Sequence, residues 1–250
     1  MGRDTWHVET VLAAVGMISA LLLSGCGTTR APLQQAATAC VSGNAGFVGG
    51  ITVPTEPSSG VATLTGNCWA DISPTPVSNV IPGVGTAQIP GGKTPTLQTA
   101  WTAKDLYLKC NVYAWPLYAA SASAPATDDA CEFMVSGDNN HNGTFGTYAA
   151  HITVAYNSTT PALGTHGSGL TSLTGFTVQN TTEQGKGYMV ELTIPWAALG
   201  INPAKGQQYA FDAAVDYNDA QGNYVAYADI TGTQNHPCCS TKSWTGITLG

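Results

Sequence analysis

Apolar and polar residues alternate with a period of two along much of the chain after about residue 60. Leu106, Leu108, Cys110 and Val112 alternate with more polar neighbours, as in a strand with one buried face. Further short runs occur at 131–135, 151–156, 175–179, 187–194, 209–217, 224–230 and 246–249. Turn residues separate these runs. The pattern therefore predicts an all-β fold, a two-sheet antiparallel β-sandwich of immunoglobulin-like or jelly-roll type.

The run 131–135 places an acid opposite its apolar residues. Because Cys131, Phe133 and Val135 alternate, Glu132 and Met134 are predicted to lie on the other face of the strand. A second local signal is the run 195–199, Pro-Trp-Ala-Ala-Leu, which predicts one helical turn that ends at Gly200.

Composition narrows the class of protein. Only 9% of the 250 residues are charged and 43% are hydrophobic, which is typical of a globular domain with many turns. The formal net charge is -7, and the eight Lys and Arg residues are scattered singly. Nucleic acid as a partner is excluded, because phosphate binding requires a cluster of basic residues.

The N-terminus carries a targeting signal. An apolar run at 11–23, too short to span a bilayer comfortably, ends in Leu-Ser-Gly-Cys at Cys26. This tetrapeptide resembles the bacterial lipobox, which implies a signal peptide at 1–25, an acylated Cys26 and a membrane anchor in the cell envelope, at the outer membrane or cell surface. A cleaved signal without lipid and an uncleaved anchor are the alternatives. Residues 26–62, rich in Ala, Thr, Gly, Ser and Pro, predict a flexible tether, and residues 63–250 form the predicted sandwich domain.

Six cysteines follow Cys26. In an exported protein an even number predicts disulfides, and Cys-x-x-Cys spacing, which would favour zinc, is absent. Cys110 and Cys131 lie on the inward faces of successive strands, so we predict that they pair with each other. The remaining cysteines are predicted to pair between two groups in some order: Cys40 and Cys68 with Cys238 and Cys239.

Five short motifs, in order, carry a family resemblance. They are Gly-Asn-Cys-Trp-Ala at 66–70, Ala-Trp-Thr-Ala-Lys-Asp-Leu-Tyr-Leu at 100–108, Asp-Ala-Cys-Glu-Phe at 129–133, Val-Glu-Leu-Thr-Ile-Pro-Trp at 190–196 and Trp-Thr-Gly-Ile-Thr-Leu at 244–249. Together they resemble carbohydrate-binding module family 9, within the wider group of sandwiches that includes DOMON domains. The resemblance implies a glycan ligand, with Glu132 as the carboxylate that accepts sugar hydroxyls. It places His151 where the family often has a hydrogen-bonding amide.

The chain departs from this family at two aromatic positions. Family members hold a sugar between two Trp rings, but neither 123–127 nor 236–239 contains an aromatic residue. Trp115, Tyr118 and Tyr148 could form a different aromatic platform. Burial in the core or in a loop is the alternative for these three rings.

An oxygen-rich loop follows the strand that contains Glu132. Asp138, Asn140 and Asn142 alternate with other residues before Gly143, a pattern that wraps oxygen ligands around calcium. The family resemblance also implies structural calcium near this loop. An Asx turn that needs no metal is the alternative.

These features predict an exported, lipid-anchored, non-catalytic carbohydrate-binding protein. No paired acid and nucleophile constellation indicates an enzyme. Two other functions remain open. The first is a DOMON-like haem domain with Met134 and His151 as axial ligands, and the second is a disulfide-stabilised cell-surface structural protein.

Overall fold

The computed structural model describes residues 51–53, 69–70, 72–81, 88–119, 127–164, 167–231 and 237–250. The predicted signal peptide, the predicted lipidation site Cys26, and both Cys40 and Cys68 lie outside the described residues. No helix in the described part of the chain has the length and apolar character required to span a bilayer.

The described residues form thirteen strands joined by turns and short 3-10 segments. The 3-10 segments are Pro90–Gly92, Trp196–Leu199, Pro237–Cys239 and Thr241–Ser243. The strands are β1 (Ile51–Val53), β2 (Thr75–Pro76), β3 (Asn79–Val80), β4 (Thr96–Trp101), β5 (Asp105–Val112), β6 (Ala130–Ser136), β7 (Ala149–Ala155), β8 (Ala162–Leu163), β9 (Thr177–Glu183), β10 (Gly187–Pro195), β11 (Gln208–Asn218), β12 (Tyr224–Asp229) and β13 (Thr245–Leu249).

Two sheets form the sandwich. The larger sheet has the order β1-β13-β11-β6-β7-β8, with β12 paired to the second half of β11 and β3 paired to β12. The smaller sheet has the order β2-β4-β5-β10-β9. Every pairing is antiparallel except that of β1 with β13. The predicted all-β sandwich is therefore confirmed.

Strand β1 belongs to the larger sheet although its residues fall within the predicted tether. Ile51, Thr52 and Val53 pair in parallel with residues 247–249 of β13. The sheet thus includes residues that precede the predicted start of the domain at Thr63. A three-residue strand is too short to show a period of two, so the hydrophobic pattern could not reveal this pairing.

The predicted helical turn is also present. The 3-10 segment Trp196–Leu199 follows Pro195, and Gly200 ends it with a left-handed φ of 63°. The indole Nε1 of Trp196 donates a hydrogen bond to the carbonyl of Thr102 at 2.9 Å. This bond joins the end of β10 to the turn before β5 and satisfies the polar atom of a fully buried ring.

The core lies between the two sheets. It contains the predicted inward-facing residues Leu106, Leu108 and Val112 of β5 and Phe133 and Val135 of β6, all buried. Strands β6 and β7 are buried on both faces, since all seven residues of each are buried. The outer face of the larger sheet is therefore covered as well, and this determines the environment of Glu132.

Candidate functional site

Four neighbouring strands of the larger sheet bring polar side chains together on its outer face. In the order β7, β6, β11 and β12 they contribute His151, Glu132, Asp216 and Tyr227. Glu132 is opposite Ala214 of β11, and Asp216 is opposite Tyr227 of β12. The small side chain of Ala214 leaves space in which longer side chains of adjacent strands can meet.

The Glu132 carboxylate has a polar partner at each oxygen. Its Oε1 lies 3.1 Å from Nε2 of His151, and its Oε2 accepts a hydrogen bond from the Tyr227 hydroxyl at 2.8 Å. Glu132 and His151 are each only 2% exposed. The sequence correctly places Glu132 opposite the core-facing residues, but this face is covered, so the acid is not on a solvated surface.

Burial and the neighbouring charges shift the pKa values of Glu132 and Asp216 in opposite directions. Burial by itself would raise the pKa of Glu132, but the charge of His151 and hydrogen bonds from His151 and Tyr227 produce a net lowering. Burial, followed by repulsion from Glu132, raises the pKa of Asp216 well above its ordinary value. Glu132 therefore favours the ionised form and Asp216 the protonated form.

A groove of about 790 Å³ lies on the outer face of the smaller sheet. Asn111 of β5, Thr181 of β9 and Met189 of β10 contribute to it, and Lys93, Tyr113 and Trp115 form one side. The Trp115 ring is 45% exposed. This groove and the Glu132 cluster lie on opposite faces of the sandwich.

The sequence identifies the family. Residues 62–249 match the family model described as carbohydrate family 9 binding domain-like. The chain belongs to this family. No curated protein sequence matches the chain.

Solved structures of family 9 modules have the same fold. A family 9 carbohydrate-binding module from Caldicellulosiruptor kristjanssonii in complex with cellotriose has a TM-score of 0.62 and 17% identity, and covers 80% of this chain and 92% of that one. A complex of such a module from the same organism with glucose has a TM-score of 0.64 and 16% identity, covering 80% and 95%. At these identities the likeness shows the shared fold.

The three aromatic residues predicted as a platform have different recorded contacts in this family 9 domain. Trp115 lines the groove over the smaller sheet. The backbone of Tyr118 exchanges hydrogen bonds with Asp129, and the Tyr148 ring lies against Gly200. Of the three, Trp115 alone is among the residues that line the groove.

The Asp138 loop of this family 9 domain folds as a series of side-chain turns. Oδ1 of Asn140 accepts from the backbone N–H of Asn142 at 2.8 Å, and Oδ1 of Asn142 accepts from that of Thr144 at 2.9 Å. Asp138 accepts a hydrogen bond from Ser136. The oxygens thus have partners in and beside the loop, as in Asx turns. The described residues contain no group of three or more His, Cys, Asp or Glu side chains that could hold a metal ion.

Four of the six cysteines that were predicted to form disulfides lie in the described part of the chain, and all four are free thiols in the structure. Cys110 and Cys131 are buried and interact across the two sheets, and burial raises the pKa of the Cys131 thiol well above its ordinary value. Their proximity agrees with the predicted pairing, but the bond itself is not formed. Cys238 is buried beside the exposed Cys239, and the proposed partners of this pair lie outside the described residues.

The pair suggested as haem ligands is poorly placed for that role. Met134 and His151 are Cα partners on adjacent strands, with both side chains buried on one face of the larger sheet. Axial ligands must approach iron from opposite sides of the haem plane. Side chains that project in the same direction from neighbouring strands do not meet this requirement.

The sequence alone did not reveal several residues of the Glu132 cluster and of the groove on the smaller sheet. Tyr227 and Asp216 were placed on predicted strands, but their contact with Glu132 depends on which strands are neighbours. Lys93 and Tyr113 reach the groove from segments outside regular strands. The exposed aromatic residue Trp115 was the one sequence signal that pointed to the groove.

Proposed function

We propose that this chain is a non-catalytic carbohydrate-binding protein, exported and held at the bacterial cell envelope by a lipid on Cys26. Membership of the family, over about three quarters of the chain, is the observation that carries the proposal. The modules of similar fold were solved with cellotriose and with glucose. We infer that a neutral glucan or a related oligosaccharide is the ligand class to test first.

Glu132 and His151 are the proposed ligand-binding residues of the larger sheet. A carboxylate oxygen has two lone pairs, so each oxygen of Glu132 can accept a sugar hydroxyl while it keeps its contact with His151 or Tyr227. Because Glu132 is 2% exposed, a sugar must reach it by displacement of the residues that cover this face. Binding of this kind is expected to be weak, since protein hydrogen bonds replace water hydrogen bonds at little net gain.

Calcium in the Asp138 loop is a further part of the proposal, supported by the alternating oxygen side chains of Asp138, Asn140 and Asn142. Calcium takes six to eight oxygen ligands, so Asn140 and Asn142 would have to exchange their turn hydrogen bonds for the ion. A calcium-dependent increase in Tm, lost in Asp138→Asn, would support the site. An unchanged Tm would leave an Asx turn that needs no metal.

Export and the lipid anchor rest on the lipobox-like tetrapeptide that ends at Cys26. Replacement of Cys26 by Ala is expected to release the protein from membrane fractions or to leave an uncleaved precursor. Unchanged fractionation together with unchanged processing would contradict acylation. This outcome would not affect the assignment of a carbohydrate ligand.

A glycan array with the purified full chain tests the binding function, followed by calorimetry with cellotriose. We expect weak binding to a subset of glycans and no release of shorter sugars on prolonged incubation. If no glycan binds, the result would favour the alternative of a structural protein at the cell surface. If the sugar is cleaved, the chain is not a purely binding protein.

A further inference from the structure

We propose that the groove on the smaller sheet is a second ligand site, one that binds an oligosaccharide whose sugars carry carboxylate groups. This site is independent of Glu132, because the two lie on opposite faces of the sandwich. The shape, the exposed aromatic surface and the charge of the groove support it in turn.

The groove exists because only part of the outer face of the smaller sheet is covered. Ala100 of β4 and Tyr107 of β5 are cross-strand partners, and they pack against Trp69 and Ile72 in a separate apolar cluster. The Gln98 side chain fixes this covering segment through two hydrogen bonds of 2.6 Å to the carbonyls of Trp69 and Ile72. Further along the sheet the outer-facing residues lie at the base of the groove.

Two glycines allow the walls to approach the end of β5. Gly91, with φ of 76°, lies so close to Tyr113 that a Cβ would be 2.8 Å from the Tyr113 carbonyl oxygen. A Cβ on Gly187, whose φ is 142°, would be 2.0 Å from the carbonyl oxygen of Val112. The walls are therefore set by close backbone packing, and the groove is a preformed feature of the fold.

Aromatic surface is available on one wall. Trp115 lines the groove with its ring 45% exposed, and a sugar ring can stack on such a face. Nζ of Lys93 lies 3.5 Å from the centroid of the Tyr113 ring, so this ammonium group is held in place by the aromatic wall. A stacking surface and a positioned cation thus lie next to each other.

The charge of the groove is opposite to that of the protein. The chain has a formal net charge of -7 and only eight Lys and Arg residues, yet three lysines line this groove, with one glutamate. Lys109 pairs with Glu191 at 3.5 Å, and Lys186 pairs with Glu183 at 2.9 Å. Lys93 has no ion pair within the described part of the chain, so it is the lysine available for a ligand carboxylate.

These features together select the chemical class of the ligand. Stacking on Trp115 suits a pyranose ring, and the amide of Asn111 and hydroxyl of Thr181 can exchange hydrogen bonds with sugar hydroxyls. A carboxylate on the sugar can form a charge-assisted hydrogen bond with Lys93. The volume of about 790 Å³ is within the range of small-molecule sites, about 300 to 1,000 Å³.

Calorimetry of the full chain with tetragalacturonate, and with cellotetraose as the neutral sugar of equal length, tests this site. We expect Lys93→Gln to weaken tetragalacturonate binding about tenfold, because a hydrogen bond to a charged group is lost, and to reduce its salt dependence. Trp115→Ala is expected to weaken it by about tenfold as well, through loss of stacking. Lys205→Gln, which removes one charge from an exposed turn outside the groove, is the matched control and should bind as the wild type does.

Three results would overturn the second site or its ligand class. Absence of tetragalacturonate binding by the wild type would do so, and so would unchanged binding in both groove variants. Equal affinity for cellotetraose with the same dependence on Trp115 and Lys93 would exclude a preference for acidic sugars. Since Glu132 takes no part in this site, failure here is distinguishable from failure of neutral glycan binding at the larger sheet.

Discussion

His151 and Glu132 form a buried pair, with Nε2 of the imidazole 3.1 Å from Oε1 of the carboxylate. They lie diagonally on β7 and β6, since the direct Cα partner of Glu132 is Thr153 and that of His151 is Met134. The acid proposed to bind sugar is thus already held by the protein. A ligand must compete with, or add to, interactions that stabilise the fold.

Removal of one partner of this pair should destabilise the domain. We expect His151→Ala to lower the free energy of unfolding by about 3 to 5 kcal/mol, because Glu132 is left as an uncompensated buried charge. Denaturant unfolding measures this change. The double variant Glu132→Gln with His151→Ala should recover part of the loss, and equal losses in the single and double variants would show that the charge is not the cause.

Substitution of Glu132 should affect ligand affinity at the larger sheet. Glu132→Gln retains the shape but removes the charge, so affinity for a neutral glycan found on the array should fall by about 1.5 to 3 kcal/mol. Met134→Leu is the matched control, since Met134 is buried on the same face of the same strand and the two residues have similar volumes. If both variants bind as well as the wild type, the ligand lies elsewhere on the sandwich.

The buried acid Asp129 should make stability depend on pH. Its oxygens accept backbone hydrogen bonds from Asn218 at 2.7 Å and Tyr118 at 2.9 Å, yet burial raises its pKa to about 6. The pKa of Asp129 is therefore higher in the folded protein than in the unfolded protein. The stability that Asp129 contributes is fully present below the unfolded pKa and is lost as pH rises through about 6. The Asn side chain of the variant Asp129→Asn does not titrate, so its stability lacks this pH dependence.

Unfolding of both proteins between pH 3 and pH 7 provides the measurement. The advantage of the wild type over Asp129→Asn should shrink by about 3 kcal/mol across this range, since one pKa unit corresponds to about 1.4 kcal/mol. The constant loss of one hydrogen bond in the variant does not change with pH. Parallel stability curves would contradict a raised pKa.

Two glycines of one turn provide a matched test of backbone packing beside the groove. Gly187→Ala should destabilise the domain by about 3 kcal/mol or more, because its Cβ would overlap the carbonyl of Val112. At Gly185, with φ of 77°, no heavy atom lies within 4 Å of the position that a Cβ would take, so Ala should cost only about 1 to 2 kcal/mol through the left-handed conformation. Thermal unfolding measures the loss of stability in each variant. Similar losses in Gly187→Ala and Gly185→Ala would show that the close approach of Gly187 to β5 is not required.

The pairing of Cys110 with Cys131 remains a prediction, and peptide mapping without reduction tests it. The two thiols face each other between the sheets, so oxidation of an exported protein is expected to join them. Replacement of both by Ala should then remove the corresponding linked peptides. Recovery of both residues as alkylated thiols from the native, unreduced protein would contradict the bridge.

Local sequence was sufficient to specify the long strands and the class of fold. In β5, β6 and β11 larger apolar residues recur at every second position of the sequence, because one face of each strand packs on the core. The same local information identified the helical turn before Gly200. Short strands such as β1 and β3 escaped detection, because two or three residues cannot show periodicity and exist only through their partners.

The outer faces of the sheets, in contrast, could be understood only from the folded chain. Sequence alternation states that Glu132 faces away from Cys131 and Phe133, but burial of that opposite face depends on segments distant in sequence. Its contacts with His151 and Tyr227 arise from the neighbour order β7, β6, β11 and β12. The groove likewise requires Lys93, Trp115 and Lys186 to meet from three separate turns. Such contacts are long-range, and local hydrophobic pattern carries no information about which strands become neighbours.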